Sequence, residues 1–162
     1  MDRRGPDTVV PAILATQGLL LGAEGAAAQS AADIDAWLTE EGYEFVTYDD
    51  EPDTWYLSAA GENMAAIPVI IYTQQNFVCF QCSVATIPSQ SHGDLDALKD
   101  ELLAIGLENY LVKAVINSSN EVEIQAEFPA AALARDDFLT GLYLVVGTAD
   151  AEYNRILEYV YR

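Results

Sequence analysis

Apolar and polar positions alternate along this chain with two different periods. "SAADIDAWLTEEGY" sets Ile34, Trp37 and Leu38 at helical spacing, with Ser30 as N-cap and Gly42 as a stop, and predicts a short amphipathic helix. "TWYLSAA", "AIPVIIYT" and "NFVCFQCSV", parted by the Gly61-Glu62-Asn63 and Gln74-Gln75-Asn76 turns, read as three antiparallel strands in a meander. A polar loop from Ile87 to Asp94 leads to "DLDALKDELLAIGLEN". There Leu95, Leu98, Leu102 and Ile105 recur at three and four, with Asp94 and Asp96 early and Gly106 late, so a second helix is expected. Two more strands follow, "YLVKAVIN" and "EVEIQAEF", joined by the Asn117 to Asn120 turn. In the last strand Val122, Ile124, Ala126 and Phe128 alternate with Glu121, Glu123, Gln125 and Glu127, which predicts one wet face. The longest helix closes the chain, with Phe138, Leu142, Val145, Ala149, Tyr153, Ile156 and Val160 on one stripe. Asp136 and Asp137 near its start, and Arg155 and Arg162 near its end, suit the helix dipole.

The order α-βββ-α-ββ-α, without internal repeat or low-complexity linker, predicts one α+β domain over residues 30–162. Its plan is an antiparallel sheet with helices packed on one face. The central hairpin "IPVIIYTQQNFVCFQC" complicates that plan. Val69, Ile70, Ile71 and Tyr72 are apolar on consecutive positions, and so are Phe77, Val78, Cys79 and Phe80. Adjacent strand residues point to opposite faces, so both faces need cover here. Three helices can roof one face. The other is left for the segment before Ser30, a second copy of the chain, or an apolar segment of a client. Ile70, Tyr72, Phe77 and Cys79 are the candidate members of that dimer or client surface.

Residues 1–29 have the rough plan of a secretory signal: Arg3 and Arg4, an apolar middle from Val9 to Leu21, and Ala26-Ala27-Ala28 before Gln29. Asp2 and Asp7 offset the arginines, and Pro11, Thr16 and Gln17 interrupt the apolar run. An amphipathic arm packing on the domain is the competing reading. The run is too short and broken for a bilayer-spanning helix of about 20 apolar residues. The expected compartment is the cytoplasm, or the periplasm or exterior if residues 1–28 are a cleaved signal.

Charge narrows the partners. Asp and Glu number 26 against 7 Lys and Arg, a formal net charge of −19, which repels nucleic acid and anionic membranes and draws basic partners. The same charge also suits solubility or a salty cytoplasm. With 51% apolar and 20% charged residues in 162, the composition is globular and one sizeable core can form.

Few residues form a recognisable chemical pattern. Cys79 and Cys82 are spaced C-x-x-C, but on a strand such residues lie roughly 10 Å apart on opposite faces, whereas a disulfide needs Cα atoms within about 7 Å. They are expected to be packing cysteines. His92 is the lone histidine, and a hydrolase or zinc site would have to be built around it; Ser89, Ser91 and Asp94 stand too near in sequence to converge on it. In "DDEPD", Asp49, Glu51 and Asp53 match the start of a calcium loop. Thr54 stands where glycine is required and Ala60 where the bidentate glutamate belongs, so the template fails and a solvated loop is expected. Gly18, Gly22 and Gly25, like Gly141 and Gly147, lack the spacing of a phosphate-binding loop. No cofactor, metal or catalytic residue is expected.

The element order, "IPVIIYTQQNFVCFQCSV", "LKDELLAIGLENYLVKAVINSSNEVEIQAEFPAAAL" and the final helix with "GTADAEYNRIL" together resemble the YbjN-like family, whose members look like the class I chaperones of type III secretion. The likeness runs from Asp33 to Arg162, about four fifths of the chain. It implies a small, acidic, often dimeric α+β protein that binds other polypeptides and catalyses nothing. Class I chaperones hold an extended segment of a secreted client against apolar surface, and YbjN relatives are linked to regulation. The resemblance transfers no single binding residue. The expectation is a non-enzymatic, homodimeric, chaperone-like or regulatory protein. The alternatives are an exported envelope protein and a hydrolase using His92 with acidic residues.

Overall fold

Residues 31–89 and 94–161 are described by a computed structural model. The expectations attached to residues 1–30, to His92 and to Arg162 lie outside the described residues. Helix α1, Ala31–Glu40, buries Ile34 and Leu38 and stops where the sequence says it should. Gly42 takes φ 78°, its N–H donates to Thr39 O at 3.0 Å, and Tyr43 N–H donates to Leu38 O at 3.0 Å. These are the paired bonds of a Schellman cap, whose left-handed residue favours glycine.

Four strands come next: β1 (Phe45–Tyr48), β2 (Glu51–Ala59), β3 (Ile67–Gln74) and β4 (Phe77–Thr86). The first is a short addition ahead of the three expected ones. It splits "DDEPD", with Asp49 and Asp50 turning the β1–β2 hairpin and Glu51 to Asp53 already in β2. Helix α2, Leu95–Glu108, is capped by Asp94, whose side chain accepts from Ala97 N–H at 3.0 Å. Gly106 lies inside this helix, and Asn109 ends it, Nδ2 donating to Ile105 O at 2.9 Å. Strands β5 (Lys113–Ile116) and β6 (Glu121–Pro129), a 3-10 turn at Ala130–Ala132 and helix α3 (Arg135–Val160) complete the described chain.

The six strands form one antiparallel sheet in the order β1-β2-β3-β4-β6-β5. Cross-strand register aligns Trp55, Ile71, Phe80 and Ala126 in one row and Leu57, Val69, Cys82, Ile124 and Ala114 in the next. That face meets the helices. Helix α3 lies over β4 and β6, α2 beside β5 and against α3, and α1 joins them through Trp37, whose ring sits 5.2 Å from that of Phe138. Trp55 Nε1 donates to Asp35 of α1 at 2.6 Å. The core is thus one layer between sheet and helices, and each large side chain fully buried in it contributes about 1.5–3 kcal/mol.

Three contacts set how the helices sit. Gly141 lets α3 close on the sheet, since a Cβ there would stand 2.7 Å from the ring of Phe80 and 2.8 Å from that of Phe128. Arg155 pairs with Glu101, with Glu108 at 2.9 Å and with Glu152 at 3.1 Å. It therefore ties α3 to α2, and lies more than a turn short of the end of α3 rather than in the last turn. Asp150 of α3 accepts backbone N–H bonds from Glu62 at 3.0 Å, Asn63 at 2.9 Å and Met64 at 2.8 Å, which pins the β2–β3 turn.

Candidate protein-interaction face

Helices cover one side of the sheet, and among the described residues the other side is formed by the strands alone. Ile70 pairs with Gln81, Tyr72 with Cys79 and Gln74 with Phe77. Strand alternation therefore puts all four candidate residues, Ile70, Tyr72, Phe77 and Cys79, on this outer face. Their accessibility differs. Phe77 is 41% exposed, Ile70 and Tyr72 are half-buried and Cys79 is buried. Burial first, and then the Glu127 carboxylate, push the Cys79 thiol up; burial does the same to the Tyr72 hydroxyl. Cys79 forms the floor rather than the surface.

The C-x-x-C pair is separated as its strand geometry requires. Cys79 faces outward beside Tyr72 and Glu127, while Cys82 faces the core between Val69 and Ile124, and both are free thiols. Among the described residues no cluster of His, Cys, Asp and Glu could hold a metal ion.

The outer face has two zones. Over β1 to β3 it is aromatic and aliphatic: Tyr48 and Tyr56 meet edge to face at 5.4 Å, and Tyr56 is paired with Ile70 across the strands. The Tyr56 hydroxyl donates to Glu51, and that bond raises its pKa. Over β6 and β5 the face is polar, but it is not the uniformly wet row that alternation suggested. Glu123 is only 2% exposed. It accepts from Gln81 Nε2 at 2.7 Å, from Gln125 Nε2 at 2.7 Å and from Asn117 Nδ2. Amides from three neighbouring positions replace its water, as a buried carboxylate requires. Lys113 pairs with Glu127 at 2.7 Å.

A second apolar surface escaped the sequence reading. Helix α2 uses Leu98, Leu102 and Ile105 for the core, yet Leu103 is 67% and Leu107 87% exposed, and Tyr110 just beyond the helix is 83% exposed. Leu111 is exposed too and takes φ 66°, a backbone state rare for a bulky side chain. The signal was there: Leu103 stands about 100° round the helix from Leu102, and Leu107 about 200° from Ile105, off the core stripe. Beside this patch an open groove of about 350 Å³ runs between α2 and β5, lined by Leu102, Leu103, Ala114, Val115, Ile116 and Lys99.

No protein-family model and no curated protein matches the sequence. Solved structures do share its architecture. YbjN from E. coli superposes with a TM-score of 0.57 at 17% identity, over 81% of this chain and 91% of that one. A chain of the heterodimeric ExoU-SpcU complex from the type III secretion system of Pseudomonas aeruginosa gives 0.52 at 14%, over 78% and 97%. A chain of the ExsC-ExsE complex gives 0.55 at 13%, over 78% and 95%. The fold is that of YbjN and the type III secretion chaperones. In this chaperone-type fold the α-βββ-α-ββ-α order holds, with β1 added at the sheet edge. Identities this low carry the architecture and no residue role. Among the described residues no helix is long and apolar enough to cross a membrane.

Proposed function

We propose that this chain is a non-catalytic protein-binding domain of chaperone type, receiving a partner polypeptide on the outer sheet face. One observation carries the reading: Ile70, Tyr72 and Phe77 stand on a face that none of the three helices covers. Two of the similar folds are known in complexes with another protein, ExoU-SpcU and ExsC-ExsE, which supports a polypeptide partner here. The test is retention of reduced, alkylated lysozyme, an unfolded and basic client. The intact chain should hold it, and Ile70→Asp with Phe77→Asn should weaken capture about tenfold or more. Equal capture by the variant, or none by either, overturns the proposal.

The same reading includes a homodimer, and α2 rather than the outer face is its favoured surface. The exposed Leu103, Leu107 and Tyr110 need an apolar cover. A second copy is strongly acidic, and two of the four cations among the described residues, Lys99 and Arg155, lie on or against α2. Sedimentation should show a dimer at micromolar concentration and a folded monomer for Leu103→Gln with Leu107→Gln. A strict monomer at high micromolar concentration ends this part. The proposal places the protein in the cytoplasm with its amino terminus intact; a mature chain beginning at Gln29 in the native host would make it an exported protein instead.

A further inference from the structure

We infer that residues 8–23 of this same chain cover the outer face and that a client must displace them. This deepens the client-binding reading by naming what regulates its site, and it rests on that reading. Residues 8–23 hold no charged side chain in a sequence that is 20% charged, and Val9, Val10, Ile13, Leu14, Leu20 and Leu21 among them are large and apolar. Arg3 and Arg4 stand against Asp2, Asp7 and Glu24, so residues 1–30 are close to neutral while the whole chain carries −19. A second copy on this face would meet like charge, and this segment would not.

The domain offers a track for it. A depression of about 460 Å³ at the β1 edge is lined by Phe45 and Leu57, which belong to the core face, and by Val46 and Tyr56 of the outer face. A second depression, of about 480 Å³, is walled by Tyr56, Ile70 and Tyr72. Tyr56 borders both, so the two join across β2 and lead from the edge of the sheet to the central hairpin. Val46 and Tyr48 stand exposed along the way.

The chain enters the domain beside this track. Helix α1 begins at Ala31, and Asp35, about one turn on, accepts from Trp55 of β2 at 2.6 Å. From β2 the β1 edge lies one strand away, about 5 Å, and the outer face about one layer, or 10 Å, from the helices. Residues 22–30 span up to about 30 Å, enough to bring Leu21 round that edge. The exposed leucines of α2 lie beside β5, four strands from β2 at about 19 Å, which makes the outer face the nearer apolar surface. So short a tether sets an effective concentration in roughly the millimolar range. A segment with an intrinsic dissociation constant of about 0.1 mM then fills the face about ten to one, and the apparent affinity of a client falls about tenfold.

The experiment uses the full chain with Met1 retained and has two readouts. A short bismaleimide should join Leu20→Cys to Val46→Cys within one chain, as mass spectrometry of the linked peptides shows, and should not join Leu20→Cys to Leu103→Cys on α2. Cys79 and Cys82 are buried and stay silent. Ile13→Ser with Leu14→Ser and Leu20→Ser, which adds no charge, should capture reduced, alkylated lysozyme about tenfold more tightly than the parent. Equal joining at both positions, a link between two chains only, or no link overturns the inference. So does unchanged or weaker capture by the serine variant while the parent still binds, and client binding then stands. No capture by parent or variant ends the client reading and this regulation with it.

Discussion

Adding one methyl group at two positions of α3 should move stability in opposite directions. At Gly147 a Cβ meets nothing within 4 Å, and alanine there removes the helix penalty of glycine, a gain of about 0.5–1 kcal/mol. At Gly141 the same methyl group would stand 2.7 Å from a ring carbon of Phe80 and 2.8 Å from one of Phe128. Neither ring can easily retreat: Phe80 is fully buried, with Phe128 edge-on at 6.0 Å and Phe138 at 5.2 Å. Overpacking of that kind costs about 2–3 kcal/mol. After the helix gain of about 1 kcal/mol is subtracted, Gly141→Ala is destabilised by about 1–2 kcal/mol. The two variants therefore differ by about 2 kcal/mol. With a urea slope of about 2 kcal/mol per molar, their midpoints separate by about 1 M. Far-UV circular dichroism and the fluorescence of buried Trp55 follow the transition. A Gly141→Ala midpoint at or above that of the parent would refute the close seating of α3 on β4 and β6.

Asp150 predicts a pH signature. Backbone N–H donors of Met64 and then Glu62 hold its carboxyl below the ordinary value of 3.8. A depressed folded value means that its bonds stabilise the fold above the unfolded value and fade as pH falls through the folded one. Asp150→Asn should be less stable than the parent at pH 7, with the gap narrowing below about pH 4; a constant gap in acid contradicts the account. The cysteines predict chemical silence. Burial pushes the Cys82 thiol up to about 12, and burial raises Cys79 as well. Ellman's reagent at pH 8 should find neither thiol in the native protein and both in urea; rapid native labelling would show that the sheet opens at β4.

Much of the fold was legible because its signals are local. The i, i+3, i+4 stripes of α1, α2 and α3, the Gly42 stop and the Asp94 cap depend on neighbours within a turn or two, and each appears where the residues placed it. The four candidate surface residues share one face because strand alternation leaves no choice. Strand β1 was not legible: "FVTY" is short, mostly exposed and next to an acidic turn, and it becomes a strand by pairing with β2. Nor was the burial of Glu123, which required Gln81 of β4 to arrive beside it and Asn117 to reach it from across the β5–β6 turn.

By itself, the order of residues determined the period of each segment, the charge, the absence of a recognisable catalytic pattern and the surplus of apolar surface on the central hairpin. These follow from side-chain type and spacing alone. Tertiary structure decided which apolar residues stay uncovered. Phe77 stays partly in solvent because α3, held close by Gly141 and tied to α2 by Arg155, is committed to the opposite side of the sheet, and Leu107 is exposed because α2 turns Leu98, Leu102 and Ile105 to the core instead. Exposure is a property of where neighbours end up, and the contacts that set it join residues far apart in the chain.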